Sequence, residues 1–111
     1  MCGIIGITSN KTVSSAIINS LRKLEYRGYD SAGIATLSNG VINEIKSEGR
    51  VNNLEKNLDV KNMSGTVGIG HVRWATHGIP NTVNAHPHSS EKVSIVHNGI
   101  IENSTILKKY L

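Results

Sequence analysis

The most reactive side chain in the sequence belongs to Cys2, the only cysteine among 111 residues. A thiol attacks as its thiolate, and the ordinary thiol pKa is about 8.5. Removal of Met1 would give Cys2 a free α-amino group, a base that is partly neutral near pH 7 because its ordinary pKa is about 7.7–8.0. That amine could activate the thiol of the same residue. The alternative, a small buried cysteine in an apolar strand, stays open at this point.

Two further patterns could bind or stabilise a negatively charged oxygen. Arg73 stands next to Trp74 at the end of a predicted strand, where a guanidinium could hold a carboxylate in a two-pronged contact. A surface ion pair is the alternative for Arg73. Asn98 and Gly99 form a turn signal, but a side-chain amide and a backbone N–H could also stabilise the oxyanion of a tetrahedral intermediate.

The histidines are concentrated in one part of the chain, between positions 71 and 97: His71, His77, His86, His88 and His97. A metal site is one interpretation, because His86 and His88 could point two imidazoles the same way. Zinc sites, however, usually show ligand pairs at tighter, repeated spacing. We therefore expect no metal and no cofactor, and interpret these histidines as polar loop residues or substrate contacts.

The segment 24–33 is unusually rich in charged residues, tyrosines and glycines for a connection. A surface turn between a helix and a strand would explain it. A loop that faces a substrate is the rival interpretation.

Apolar spacing predicts the elements that must position these residues. Val13, Ile17, Leu21 and Leu24 mark an amphipathic helix near 12–24, with Thr12 as its N-cap. The dipeptide at 39–40, Asn-Gly, predicts a hairpin between antiparallel strands. The remaining elements complete a predicted α+β chain with mainly antiparallel sheets: strands near 2–8, 32–38, 41–47, 66–73 and 93–97, a short helix marked by Val51, Leu54 and Leu58, and a helix near 103–111 capped by Asn103 or Ser104. Gly68 and Gly70 should let another element approach the strand backbone closely.

Composition excludes several classes of protein. No apolar run is long enough for a membrane span, and no secretory signal precedes the first strand. The net charge is +4, but the basic residues are scattered, whereas nucleic-acid binding usually needs a clustered stripe. A single cysteine cannot form an internal disulfide and suits a reducing compartment. We expect a cytoplasmic protein without a nucleic-acid or membrane partner.

Five stretches together resemble the class II glutamine amidotransferases, whose nucleophile is an N-terminal cysteine. They cover nearly the whole chain in the order of that family: 2–7 (CGIIGI), 24–35 (LEYRGYDSAGIA), 70–78 (GHVRWATHG), 84–88 (NAHPH) and 96–103 (VHNGIIEN). Within the class, Tyr29 and the run 74–77 are similar to the glutamine–fructose-6-phosphate aminotransferase branch. The amidophosphoribosyltransferase branch tends to differ at those places.

The resemblance implies a role for individual residues. Cys2 would attack the side-chain amide of glutamine, and Asn98 and Gly99 would form the oxyanion hole. Arg73 would bind the α-carboxylate of glutamine. The other implied substrate-binding residues are Trp74, Thr76, His77 and His86 around the pocket, and Arg27 in the loop beside Cys2. In the family, the released ammonia passes to a sugar isomerase domain that converts fructose 6-phosphate to glucosamine 6-phosphate, and we expect a homo-oligomeric parent protein.

The resemblance also implies a fold and a domain organisation. The expected fold is the four-layer α/β/β/α sandwich of N-terminal-nucleophile hydrolases, here incomplete at the C-terminus. Residues 1–111 would be the N-terminal part of a glutaminase domain, because an aspartate that holds the glutamine α-amino group in the family comes later in the chain. Two alternatives stay open: a non-catalytic remnant or partner-binding piece, and another class II amidotransferase such as amidophosphoribosyltransferase.

Overall fold

A computed structural model describes residues 2–57, 63–75, 79 and 81–111. Its centre is a four-stranded sheet in the order β1-β4-β2-β3, in which every neighbouring pair is antiparallel. The strands are β1 (Gly3–Thr8), β2 (Ser31–Ser38), β3 (Val41–Glu48) and β4 (Val67–Arg73). The four strands predicted near these positions are confirmed.

Helices and a small ribbon surround this sheet. The helices are α1 (Ser14–Leu24), a 3₁₀ helix (Glu25–Arg27), α2 (Val51–Glu55) and α3 (Ser104–Lys108). The ribbon pairs β5 (His88–Ser89) with β6 (Ser94–Ile95). Within the described ranges, no helix is both long and apolar enough to cross a membrane.

The core lies between α1 and one face of the sheet. Ile17 and Leu21 are fully buried there, together with Ile34 of β2. A Cβ atom placed on either Gly68 or Gly70 would lie 2.6 Å from an Ile17 side-chain carbon. The close approach predicted at these glycines is therefore confirmed, and the approaching element is α1.

The hairpin between β2 and β3 follows from its turn residues. Asn39 has φ 51 and Gly40 has φ 77, so both central residues adopt the left-handed conformation. Two such residues match the right-handed twist of the flanking strands. The predicted hairpin at 39–40 is confirmed, with Ser38 paired to Val41.

Alternate side chains of β4 point to opposite faces of the sheet, so the core lies on one face and the candidate functional residues lie on the other. Gly68 and Gly70 face α1, so His71 and Arg73 point to the opposite face of the sheet. The ribbon lies over this second face, and the Lys46 ammonium on β3 holds the segment before it by donating to the Ala85 carbonyl at 2.9 Å. The second face therefore carries the polar residues that the sequence singles out.

Three predicted boundaries are wrong. The N-cap position of α1 belongs to Val13 rather than Thr12, because the Val13 N–H is already bonded to the Gly65 carbonyl at 3.1 Å. The strand near 93–97 shrinks to Ser94–Ile95, and the helix near 103–111 shrinks to Ser104–Lys108. Both elements leave most of their apolar side chains exposed, so little packing extends them. Leu58, predicted to mark α2, lies outside the described residues.

The α+β class with antiparallel sheets is confirmed. Of the four expected layers, the described residues form one helical layer, α1 with α2, and the sheet beneath it.

Candidate active site

Cys2 is held immediately before β1 by contacts with residues distant in sequence. Pairing of Gly3 with Val72 brings the start of β1 to the end of β4. The Trp74 N–H then donates to the Cys2 Sγ at 3.4 Å, and the Cys2 thiol lies 3.7 Å from the Trp74 carbonyl oxygen. The Trp74 N–H can therefore stabilise a thiolate as a donor, and the Trp74 carbonyl can accept from a thiol.

A cavity of about 610 Å³ opens beside Cys2. This volume lies within the range of about 300–1,000 Å³ that small-molecule sites occupy. The Gly99 backbone lies in its wall, among polar side chains that come from separate stretches of the chain: Cys2, Arg73, Trp74, His86, His88, His97 and Ser104. Apolar side chains complete the wall: Ile95, Val96, Ile100 and Ile101. A small polar molecule with an apolar stem would fit such a lining.

Arg73 enters this cavity from the end of β4 and is itself 7% exposed. One guanidinium nitrogen, Nη1, donates to the Ile79 carbonyl at 3.0 Å, which restrains the head group. The Arg73 carbonyl accepts the Asp30 N–H at 3.1 Å, which fixes the backbone. A planar guanidinium held in this way suits a carboxylate ligand.

Three histidines lie in a row next to Arg73: His71 stacks on His86, and His88 is tilted against His86. The ring centroids of His71 and His86 are 4.4 Å apart, and those of His86 and His88 are 4.5 Å apart. The His71 Nε2–H donates to the Asn98 Oδ1 at 2.8 Å, and the His97 N–H donates to the His86 Nδ1 at 3.3 Å. His71 thereby contacts Asn98, and His86 contacts His97, the two residues that precede Gly99.

Burial keeps these imidazoles neutral near pH 7. Desolvation, followed by the positive potential of His71, His88 and Arg73, lowers the pKa of His86 to about 4. Desolvation is also the main cause that lowers the pKa of His71 and that of His88. A neutral ring explains how the His86 Nδ1 can accept a hydrogen bond.

Asp30 organises the loop next to Cys2, although sequence reasoning gave it no role. Its carboxylate accepts the Ala75 N–H and the Ser31 hydroxyl, the latter at 3.1 Å. The Asp30 carbonyl accepts the Gly49 N–H at 2.7 Å. The only sequence signal was a short carboxylate within the polar segment 24–33, where such side chains often bond to backbone groups.

The structure brings together most of the residues implied by the resemblance. Cys2, Arg73, Trp74, His86 and Gly99 line one cavity. The two others that are described lie beside it: Arg27 contacts the Cys2 backbone, and Asn98 contacts His71. Thr76 and His77 lie outside the described residues. Across the described part of the chain, no group of three His, Cys, Asp or Glu side chains could hold a metal ion.

Comparison with curated proteins identifies relatives over the full length of the chain. It is 54% identical over 111 residues to "Glutamine--fructose-6-phosphate aminotransferase [isomerizing]" of Mesorhizobium japonicum, covering 100% of this chain and 18% of that protein. The protein of the same name from Clostridium acetobutylicum is 54% identical over 113 residues, covering 100% of this chain and 19% of that protein. The chain is homologous to a part of these aminotransferases. No family model matches the sequence.

Solved structures place the aminotransferase homologue in an amidotransferase fold. It superimposes with a TM-score of 0.81 and 26% identity on the glutamine phosphoribosylpyrophosphate amidotransferase of B. subtilis, covering 99% of this chain and 24% of the other. A structure described as the allosteric regulatory enzyme of purine biosynthesis gives a TM-score of 0.84 and 27% identity, with the same two coverages of 99% and 24%. The homologue therefore has the fold of class II glutamine amidotransferase domains.

Proposed function

We propose that residues 1–111 form the N-terminal part of the glutaminase domain of a glutamine–fructose-6-phosphate aminotransferase. The observation that carries this proposal is the single cavity that joins Cys2, Arg73 and Gly99. The chain spans about a fifth of the length of the curated relatives. A sugar isomerase domain, its substrate fructose 6-phosphate and a homo-oligomeric assembly would belong to the longer protein. The cytoplasm, a reducing compartment, would keep Cys2 as a free thiol.

The proposed reaction begins at Cys2 after removal of Met1. The α-amine takes the thiol proton, and the Sγ attacks the side-chain amide carbon of glutamine. The C–N bond then breaks, and the leaving nitrogen takes the proton from the α-amine and departs as ammonia. A glutamyl thioester remains on Cys2. Water attacks the thioester, which releases glutamate and restores the thiol.

Gly99 and Asn98 would stabilise the oxyanion that forms in both addition steps. The Gly99 backbone lies in the cavity wall, and Asn98 precedes it directly. Removing one donor of such a hole typically raises the barrier by about 2.7–4 kcal/mol. The Trp74 N–H at 3.4 Å from Sγ would stabilise the thiolate before attack.

Arg73 would orient glutamine by its α-carboxylate. A buried guanidinium in the cavity wall presents parallel N–H donors, and a carboxylate presents two matching acceptors. The apolar part of the lining would cover the methylene groups of the substrate. Trp74 and His86 would bound the same pocket, and we retain Thr76 and His77 as proposed neighbours of the substrate.

The phosphoribosyl branch is the second candidate, because the solved structures with this fold include a phosphoribosylpyrophosphate amidotransferase. Sequence identity favours the sugar branch, since it is 54% to the aminotransferases and 26% to that amidotransferase.

A chimera tests the proposal in a full-length protein. Residues 1–111 replace the matching segment of the Mesorhizobium japonicum aminotransferase, with which they share 54% identity. We expect glutamate release from glutamine, and glucosamine 6-phosphate when fructose 6-phosphate is added. The control is the same chimera with Cys2→Ala, which should lose glutamine hydrolysis but still use added ammonia.

Two results would contradict the proposal. A folded chimera that uses ammonia but does not hydrolyse glutamine would indicate a non-catalytic segment. Retained glutamine hydrolysis in the Cys2→Ala chimera would remove Cys2 from the reaction.

A further inference from the structure

The contact between His71 and Asn98 joins a buried residue on the second face of the sheet to the edge of the cavity. His71 is 1% exposed, whereas Asn98 is exposed and lies between two residues of the cavity wall, His97 and Gly99. Their side chains meet at 2.8 Å between Nε2 and Oδ1. A buried, rigid side chain thus holds a residue that has little other packing to fix it.

The chemistry of this contact sets the orientation of the amide. Oδ1 of Asn98 can only accept, so the His71 Nε2 must carry the proton that is donated. With Oδ1 fixed on His71, the Nδ2 amino group of Asn98 points away from the imidazole. A reversed amide would place an oxygen where a negatively charged reaction intermediate needs a donor.

The surroundings of His71 leave the ring little freedom to turn. The ring stacks on His86 at 4.4 Å, and His71 is 1% exposed. Among the described residues, the buried His71 Nδ1 has no hydrogen-bond partner. Because Nε2 is bonded to Asn98 and Nδ1 has no partner, the suitable tautomer of the ring carries its proton on Nε2.

We propose that His71 is a positioning residue: its Nε2–H holds the Asn98 amide so that Nδ2 is the group presented to the oxyanion. This inference rests on the proposed glutaminase function. His71 would not touch the substrate and would act only through Asn98. Its loss should therefore affect the transition state more than the binding of glutamine.

The first test compares His71→Phe with the unmutated chimera described above. Phe keeps a planar ring for stacking on His86 but cannot donate to Asn98. We expect kcat for glutamine hydrolysis to fall by about ten- to a hundredfold, because small losses of positioning have such effects. KM for glutamine should stay within about threefold, since uniform binding is untouched. His71→Gln, which retains a donor, should be closer to the unmutated chimera.

Thr36→Val is a matched control for the loss of one buried hydrogen bond. Thr36 is 2% exposed, and its hydroxyl donates to the Ser64 carbonyl at 2.8 Å on the core side of the sheet. This variant should lower the thermal unfolding midpoint while kcat stays within about twofold. An equal loss of kcat in Thr36→Val and His71→Phe would mean that general destabilisation explains the effect.

The second test measures the oxyanion hole without turnover. Glutamate γ-semialdehyde, an aldehyde analogue of glutamine, adds to the Cys2 thiol to give a tetrahedral hemithioacetal, with no leaving group. Its affinity should fall in His71→Phe by about the same factor as kcat, whereas the affinity for glutamate should not. Equal losses for aldehyde and glutamate would overturn the proposal.

The third test is a double-mutant cycle. If His71 acts only through Asn98, His71→Phe should cause no further loss of kcat once Asn98→Ala is present. Additive losses would overturn the proposal. Where His71→Phe does not fold, His71→Asn takes its place, because the shorter side chain cannot span the same distance. An unmutated chimera that uses ammonia but does not hydrolyse glutamine refutes the proposed function, whereas an active chimera whose His71 variants keep the unmutated kcat refutes only this inference.

Discussion

Arg27 and Cys2 are 25 positions apart, yet the Arg27 Nε–H donates to the Cys2 carbonyl oxygen at 2.9 Å. The contact comes from the one-turn helix that follows α1, whose last residue is Arg27. It restrains the backbone of the residue that carries the proposed nucleophile. A guanidinium beside Cys2 therefore has a positional role in addition to its charge.

Replacing this guanidinium should slow glutamine hydrolysis. In the chimera, we expect Arg27→Ala to reduce kcat by about tenfold or more, because a misplaced nucleophile loses its attack geometry. Arg22→Ala is the matched control, since Arg22 lies on α1 and pairs with Glu55 away from the cavity. Steady-state kinetics of the two variants compare their kcat for glutamine hydrolysis. Equal activity in both would show that the Arg27 contact is dispensable.

Gly28 should not tolerate a side chain. A Cβ atom there would lie 2.5 Å from the Arg73 carbonyl carbon and 2.6 Å from the Trp74 backbone nitrogen. Gly28→Ala must displace the backbone beside the Cys2 Sγ, at a cost of about 1–3 kcal/mol or more for overpacking. We expect a lower unfolding midpoint and a loss of glutamine hydrolysis.

Gly6→Ala is the control for that variant, because the nearest atom to its added Cβ is 4.0 Å away. It should leave both the unfolding midpoint and the hydrolysis rate nearly unchanged. If Gly28→Ala also leaves both quantities nearly unchanged, the close approach of Gly28 to the backbone of Arg73 and Trp74 is wrong.

Acid should lower the free energy of local unfolding of the segment that His86 contacts. The folded protein protonates His86 only near its pKa of about 4, whereas an unfolded histidine takes its proton below about 6.5. The unfolded state therefore binds more protons between these values, so the free energy of local unfolding falls as the pH drops from 6.5 to 4. The lowered pKa of His71 and that of His88 act in the same direction.

Hydrogen exchange of the segment 94–101 can measure this effect. After correction for intrinsic rates, protection in the chimera should be lower at pH 5 than at pH 7. His86→Gln keeps an acceptor for the His97 N–H but does not titrate, so its protection should depend less on pH. The same pH dependence in both proteins would contradict the assignment to His86.

Arg73→Lys tests the carboxylate contact. A lysine keeps the charge but loses the planar pair of donors, so KM for glutamine should rise by about tenfold or more. Arg22→Lys controls for the same exchange outside the cavity. An unchanged KM in Arg73→Lys would exclude the proposed role.

Local patterns predicted the parts of the fold that local physics determines. The spacing of Ile17 and Leu21 identified α1, and the dipeptide at 39–40 identified the hairpin. The predicted N-cap at Thr12 was wrong: the helix begins one residue later, where a long-range bond from the Val13 N–H to the Gly65 carbonyl fixes the backbone. The predicted ends of β6 and α3 were wrong because their apolar residues have little described packing to define them.

The site was accessible to sequence reasoning only in part. Chemistry singled out Cys2 as a candidate nucleophile and Arg73 as a candidate carboxylate ligand, but their shared substrate and their proximity came from the resemblance, since no spacing rule joins positions so far apart. The contact between His71 and Asn98 depends on strand alternation and on the path of the segment after the ribbon. No local pattern in the sequence encodes that path.

The most direct measurement of the central claim is a search for the glutamyl thioester on Cys2. The chimera is mixed with glutamine, quenched with acid during turnover, digested and examined by mass spectrometry. We expect a glutamyl group on an N-terminal peptide that begins with Cys2 and lacks Met1, and no such adduct in Cys2→Ala. Efficient glutamine hydrolysis by protein that retains Met1, or a glutamyl group on any other residue, would contradict it.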